Sequence, residues 1–138
     1  MPALSVPNIL WAEDMEGDRR LIEQALEEVE HRPAIRFVPD GPRLLETLES
    51  EEPPSLVVLD LNMPGMHGTE VLQRLRQRDA TKKVPVIVFT SSPNLDEYSL
   101  CSRLGADAVV HKPTNLDGFL QAVRRITDKA NKVAARRR

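Results

Sequence analysis

With a single cysteine, Cys101, in 138 residues, the chain can close no internal disulfide, which fits a reducing compartment such as the cytoplasm. Long apolar runs are missing as well. Stretches such as Leu56-Val57-Val58-Leu59 and Val86-Ile87-Val88-Phe89 fall far short of the roughly 20 residues that span a bilayer, so no membrane partner is expected. Residues Met1 to Pro7 place no base ahead of an apolar stretch, which leaves secretion unsupported. Aromatic residues make up only 4%, and none interleaves the bases near the end as a nucleic-acid platform requires. The formal charge is −2, but it is unevenly spread: residues 1–60 hold 14 acids and 5 bases, and residues 61–138 hold 7 acids and 14 bases. The acidic half disfavours nucleic acid. The terminal bases Arg124, Arg125, Lys129, Lys132, Arg136, Arg137 and Arg138 read as a solvated helix face that ends in an extension or tail over 128–138.

What remains is the composition of one domain, with 41% apolar and 29% charged residues. Eleven prolines punctuate the chain, most of them between apolar runs where a missing N–H costs least. Those runs, Asn8 to Ala12, Ala34 to Val38, Leu56 to Leu59, Val86 to Phe89 and Ala108 to Val110, have strand character. Each is followed by helical spacing: Leu21, Ile22, Ala25, Leu26 and Val29; Leu44, Leu45 and Leu48; Val71, Leu72 and Leu75; Leu116, Phe119, Leu120, Val123 and Ile126. Between Asn94 and Leu104 the stripe is weaker, but Asn94 makes a good N-cap, Asp96 and Glu97 suit a first turn, and Gly105 suits the residue past a helix end. Five strands alternating with five helices predict an α/β (βα)5 fold: a doubly wound, five-stranded parallel sheet covered on both faces.

In such a sheet, ligands bind beyond the carboxyl ends of the strands, where the strand order reverses. Glu13-Asp14 follows the first strand, Asp60 the third, Thr90-Ser91-Ser92 the fourth and Lys112-Pro113 the fifth. With the flavodoxin-like order 2-1-3-4-5, Glu13, Asp14 and Asp60 crowd together. Two carboxylates about 4 Å apart repel by roughly 4 kcal/mol at an effective dielectric near 20. Either a carboxyl pKa rises or a hard cation joins the cluster, and an all-oxygen site suits Mg2+.

These residues resemble a family. Asp60-Leu61-Asn62-Met63-Pro64-Gly65-Met66-His67-Gly68, with the preceding strand, is similar to the phosphoacceptor segment of response-regulator receiver domains in two-component signalling. The acidic pair, Thr90 and Lys112 fall at the other family positions, and the likeness runs from about Asn8 to Ile126. It implies that Asp60 accepts a phosphoryl group from the phosphohistidine of a sensor histidine kinase. It further implies that Asp14, Asp60 and the backbone carbonyl of Asn62 bind Mg2+, with Glu13 acting through a water. Lys112 and Thr90 would contact phosphoryl oxygens, and the small Ser91 would leave them room. The resemblance also implies a cis bond before Pro113, a tight turn eased by Gly65 and Gly68, and no donor role for His67 or His111. Trp11 and Cys101 are expected to be packing residues. Three residues before the lysine, where the family often has a switching aromatic ring, stands Val109; a signal would then run through Thr90 and the loop after it.

The resemblance implies a single receiver domain over 1–138, with a core of about 8–127 and no output domain. Such a chain is a stand-alone regulator, not an enzyme beyond its own phosphotransfer and dephosphorylation. In pattern it is similar to small regulators that pair with bacterial phytochrome histidine kinases. Ala122, Ile126, Ala130 and Val133 either extend the last helix and, with Tyr98 and Val109, offer a homodimer contact on the face of the fourth helix, fifth strand and fifth helix, or belong to a frayed end. Rival readings are an FMN carrier, a phosphatase of the aspartyl-phosphate class, and a receiver-like binding module that is never phosphorylated. Glu13-Asp14-Met15-Glu16 would repel the FMN phosphate, and Asn62 stands where the phosphatase needs a second carboxylate.

Overall fold

The computed structural model describes residues 7–136, with side chains described as far as Val133; the N-terminal stretch Met1 to Val6 and the terminal bases Arg137 and Arg138 lie outside the described residues. The elements alternate without exception: β1 Asn8–Ala12, α1 Glu16–Leu26, β2 Ala34–Val38, α2 Gly41–Ser50, β3 Leu56–Leu59, α3 Gly68–Gln77, β4 Val86–Thr90, α4 Leu95–Arg103, β5 Ala108–His111 and α5 Leu116–Arg136. All strand pairs are parallel, in the order β2-β1-β3-β4-β5, as the alternation predicts. No helix among the described residues is long and apolar enough to cross a membrane.

Because side chains alternate across a strand, each central strand feeds two cores. Leu10, Ala12, Val57, Leu59, Val86 and Val88 face the layer of α2, α3 and α4, where they meet Leu44, Leu48, Val71, Leu75 and Cys101. Ile9, Trp11, Leu56, Val58, Ile87 and Phe89 face α1 and α5, where they meet Ile22, Leu26, Phe119, Val123 and Ile126. On that second face the few aromatic rings form a chain. Trp11 lies 6.2 Å from Phe37 and 6.1 Å from Phe89, and Phe89 lies 5.4 Å from Phe119, distances at which tilted and edge-on pairs attract. Trp11 and Cys101 are both buried packing residues, as expected.

Helix boundaries follow local chemistry. Asp40 caps α2 through Arg43 N–H, with Pro42 in the first turn, and Asn94 caps α4 by accepting from the N–H groups of Asp96 and Glu97. Gly105 takes φ +102° just past α4, where a side chain would be strained.

One expectation is corrected. The bond before Pro113 is trans, as is every peptide bond among the described residues; trans is the ordinary state of an X-Pro bond. Of the two readings for the residues after Ile126, an extended helix or a frayed end, the extension is what the structure has. Helix α5 continues to Arg136, and Ala122, Ile126, Ala130 and Val133 are buried within the molecule rather than presented to a partner. The apolar stripe persists because α5 runs on along α1, and Arg124 Nε donates to the carbonyl of Ala25 at 3.1 Å, tying the two helices together.

Candidate functional site

Strand register assembles the site. Ala12 pairs with Leu59 across β1 and β3, so the next residues, Glu13 and Asp60, emerge side by side, with Asp60 N–H donating to Ala12 O. On the other flank Thr90 ends β4 and Lys112 follows β5, its N–H bonded to Thr90 O at 2.8 Å. Glu13, Asp60, Thr90 and Lys112 are all buried, whereas Asp14 is exposed at the mouth.

The loop between β3 and α3 is held by close backbone packing. Gly68 N–H donates to Leu61 O, and a Cβ on Gly68 would lie 2.7 Å from both Asp60 O and Leu61 Cα. Gly65 takes φ +87°, a turn that favours glycine. Asn62 N–H in turn donates to Asp60 Oδ1 at 3.1 Å, which fixes one carboxylate oxygen.

The other oxygen meets the lysine. Lys112 Nζ lies 2.6 Å from Glu13 Oε1, 2.7 Å from Asp18 Oδ2 and 2.8 Å from Asp60 Oδ2, and 5.8 Å from the Phe89 ring centre. An ammonium has three N–H donors, and all three are used. Burial by itself would lower the lysine's pKa, but Asp60, Asp18 and Glu13 outweigh it and raise the pKa above its ordinary value. Burial raises the pKa of Glu13, and Lys112 opposes that shift without cancelling it.

Glu13, Asp14 and Asp60 each bring a carboxylate oxygen within 4.8 Å of the other two. Three acids, Glu13, Asp18 and Asp60, hold the one ammonium, and Asp14 adds a fourth carboxylate beside Glu13 and Asp60. The excess negative charge and the all-oxygen donor set fit a hard divalent cation that keeps part of its water shell.

Asp18 was not anticipated. As an acid in the first turn of α1 it looks like an ordinary helix-dipole residue, and its only further signal is its place one helical turn after Asp14. A second cluster was also missed. Ser92 N–H donates to Thr90 Oγ1 at 3.1 Å, Ser92 Oγ donates to Glu97 Oε1 at 2.8 Å, and Tyr98 Oη donates to Ser92 O at 2.7 Å. Glu97 Oε2 then lies 3.0 Å from His67 Nε2, while His67 Nδ1 accepts from Thr69 N–H and caps α3. Adjacent residues in α4's first turn, Glu97 and Tyr98, are thus tied to Thr90 through Ser92. His111 is exposed, Val109 is half-buried, and Ser91 is exposed beside Thr90.

An aspartate held between an acidic pair, a hydroxyl and a lysine at the carboxyl edge of a 2-1-3-4-5 sheet defines a receiver of two-component signals. The family model for the response regulator receiver domain matches residues 9–124, and the chain belongs to that family. It is 31% identical over 124 residues to response regulator Rcp1 of Synechocystis sp., covering 86% of this chain and 84% of that protein. It is 33% identical over 107 residues to two-component response regulator ORR11 of Oryza sativa, covering 78% of this chain and 71% of that protein. Among solved structures, the phosphorylated cyanobacterial phytochrome response regulator RcpA is similar with a TM-score of 0.82 at 30% identity, covering 87% of this chain and 90% of that one. The Mn2+-bound form of Rcp1 gives a TM-score of 0.81 at 30% identity, covering 87% and 91%.

Proposed function

We propose that this chain is a cytoplasmic response regulator that takes a phosphoryl group from a sensor histidine kinase onto Asp60, with Mg2+ as cofactor. The observation that carries the reading is the meeting of Asp60 with Glu13, Asp14 and Lys112 in one cluster. Glu13, Asp14, Asp60 and the Asn62 carbonyl are the residues that would hold the cation, and its chemistry would be to screen an anionic nucleophile from an anionic phosphoryl group.

The chain's own part follows from the geometry. An Asp60 carboxylate oxygen attacks phosphorus; the P–O bond forms, the P–N bond to the kinase histidine breaks, and the imidazole leaves with the electron pair and takes a proton. Asn62 N–H holds the other carboxylate oxygen in place. Lys112 and the Thr90 hydroxyl then meet phosphoryl oxygens.

Thr90 also supplies the route outward. When its hydroxyl turns toward a phosphoryl oxygen it leaves the N–H of Ser92, and Ser92 is bonded to Glu97 and Tyr98 on α4. The change therefore reaches α4 without an aromatic at position 109, and alters which partners the α4, β5 and α5 face accepts, a second copy among them. The likeness to RcpA, a cyanobacterial phytochrome response regulator, and to Rcp1 favours a bacteriophytochrome-type kinase.

Incubation with Mg2+ and a small acyl-phosphate donor, read by intact mass, tests the reading. A gain of one phosphoryl group, lost in Asp60→Asn, supports it; no gain favours the inert binding module.

A further inference from the structure

Lys112 is held by three acids from three different elements, and they are not equivalent. Glu13 and Asp60 belong to the carboxylate cluster that fits a cation, while Asp18 stands outside it on the first turn of α1. Once Asp60 carries a phosphoryl group it is no longer a carboxylate, and a cation beside Glu13 competes with the ammonium for that acid. Only the Asp18 bond, 2.7 Å long, is left undisturbed by these events.

The surroundings of Asp18 point the same way. It forms part of the wall of an open cavity of about 400 Å3 with Met15, Leu21, Lys112, Pro113 and Phe119. Its side chain is 20% exposed, against 6% for Lys112, so it lies between the ammonium and water.

We propose that Asp18 is a positioning residue for phosphotransfer, the fixed anchor that keeps the Lys112 ammonium aimed at Asp60 while the lysine's other two partners change. The proposal rests on the phosphoacceptor reading above. Its consequence is that the acceptor oxygen at position 18 matters for rate, whereas the charge there matters for cation affinity.

Two substitutions separate these effects. Asp18→Asn keeps a carbonyl oxygen that can accept from Lys112; Asp18→Ala leaves the third N–H to water. Phosphoryl uptake from a small acyl phosphate is followed by mass at saturating donor and Mg2+, and cation binding is followed separately by Trp11 fluorescence. Both variants lose one negative charge, so both should bind Mg2+ about fivefold more weakly. The maximal uptake rate should fall about tenfold in Asp18→Ala and stay within about twofold of the parent in Asp18→Asn. A maximal rate unchanged in Asp18→Ala, or equally reduced in both variants, would overturn the proposal.

A second readout needs no phosphorylation. In protein labelled with 15N-lysine, solvent exchange of the Lys112 ammonium hydrogens should be at least fivefold faster in Asp18→Ala than in the parent or Asp18→Asn. If exchange separates the variants in this way but the parent takes up no phosphoryl group, the anchor stands and the phosphoacceptor reading falls. Equal exchange in all three proteins would remove the anchor itself.

Discussion

Replacing Lys112 with Met keeps the length of the apolar stem but deletes the ammonium that, among the described residues, bonds the carboxylates of Glu13, Asp18 and Asp60 together. Glu13 and Asp60 are buried, so their mutual repulsion, roughly 4 kcal/mol for charges about 4 Å apart at an effective dielectric near 20, loses its offset. Removing one partner of a buried ion pair costs about 3–5 kcal/mol, a large share of the roughly 5–15 kcal/mol that stabilises a domain. Part of that cost should return when a divalent cation occupies the cluster. A cation at about 100 times its Kd adds about 2.7 kcal/mol to a folded state, and Lys112→Met has also lost the ammonium that competes for the same oxygens. Urea unfolding of both proteins, in chelator and in saturating Mg2+, provides the assay. The expected result is a deficit of about 3–5 kcal/mol in chelator that shrinks by at least about 1 kcal/mol in Mg2+. Equal stabilities in chelator, or a deficit that Mg2+ leaves unchanged, would refute the electrostatic reasoning.

Further outcomes follow from other parts of the molecule. Glu13 has its pKa raised above the ordinary 4.5, so its ionised form weakens folding as pH rises through that raised value; Glu13→Gln should flatten the metal-free stability profile above pH 4.5 while weakening Mg2+ binding, both measurable by pH-dependent unfolding and titration. Lys112 shifts upward too, which for a base means stability present below the usual lysine pKa of about 10.4 and lost only at higher pH. Gly68→Ala drives a Cβ into the backbone of Asp60 and Leu61 and should cost about 1–3 kcal/mol in thermal or urea unfolding, whereas Gly17→Ala, with nothing within 4 Å, should gain about 0.5–1 kcal/mol from better helix propensity. Tyr98→Phe removes the bond to Ser92 O and should cost about 0.5–1.5 kcal/mol. In hydrogen exchange it should also reduce the phosphorylation-dependent change over α4, and an undiminished change would take Tyr98 out of the signal route.

Apolar periodicity carried most of the architecture because every strand here is bounded by proline or polar residues and four helices have a clear stripe, while α4, which buries only Cys101, was legible from its Asn94 cap and Gly105. All five strands were readable to within one residue; β4 and β5 each run one position further, to Thr90 and His111. The acidic pair, Asp60, Thr90 and Lys112 were readable because the rule for open sheets assigns chemistry to strand ends. Side chains arriving from helices were not. Asp18 reaches Lys112 from α1, and Glu97 and Tyr98 reach Ser92 from α4, contacts that depend on how each helix lies across the sheet. The apolar stripe of α5 was visible, but whether it faced α1 or solvent was not, since a stripe gives a face without naming what covers it.

Phosphoryl transfer to this chain centres on one group, the Asp60 carboxylate, and its chemistry can be read at that residue. Protein incubated with Mg2+ and an acyl-phosphate donor, then reduced with borohydride and digested, should yield a peptide with homoserine at position 60, the reduction product of an aspartyl phosphate, and the product should vanish when Mg2+ is chelated. An unmodified Asp60, or a modification at any other acid in the chain, would contradict it.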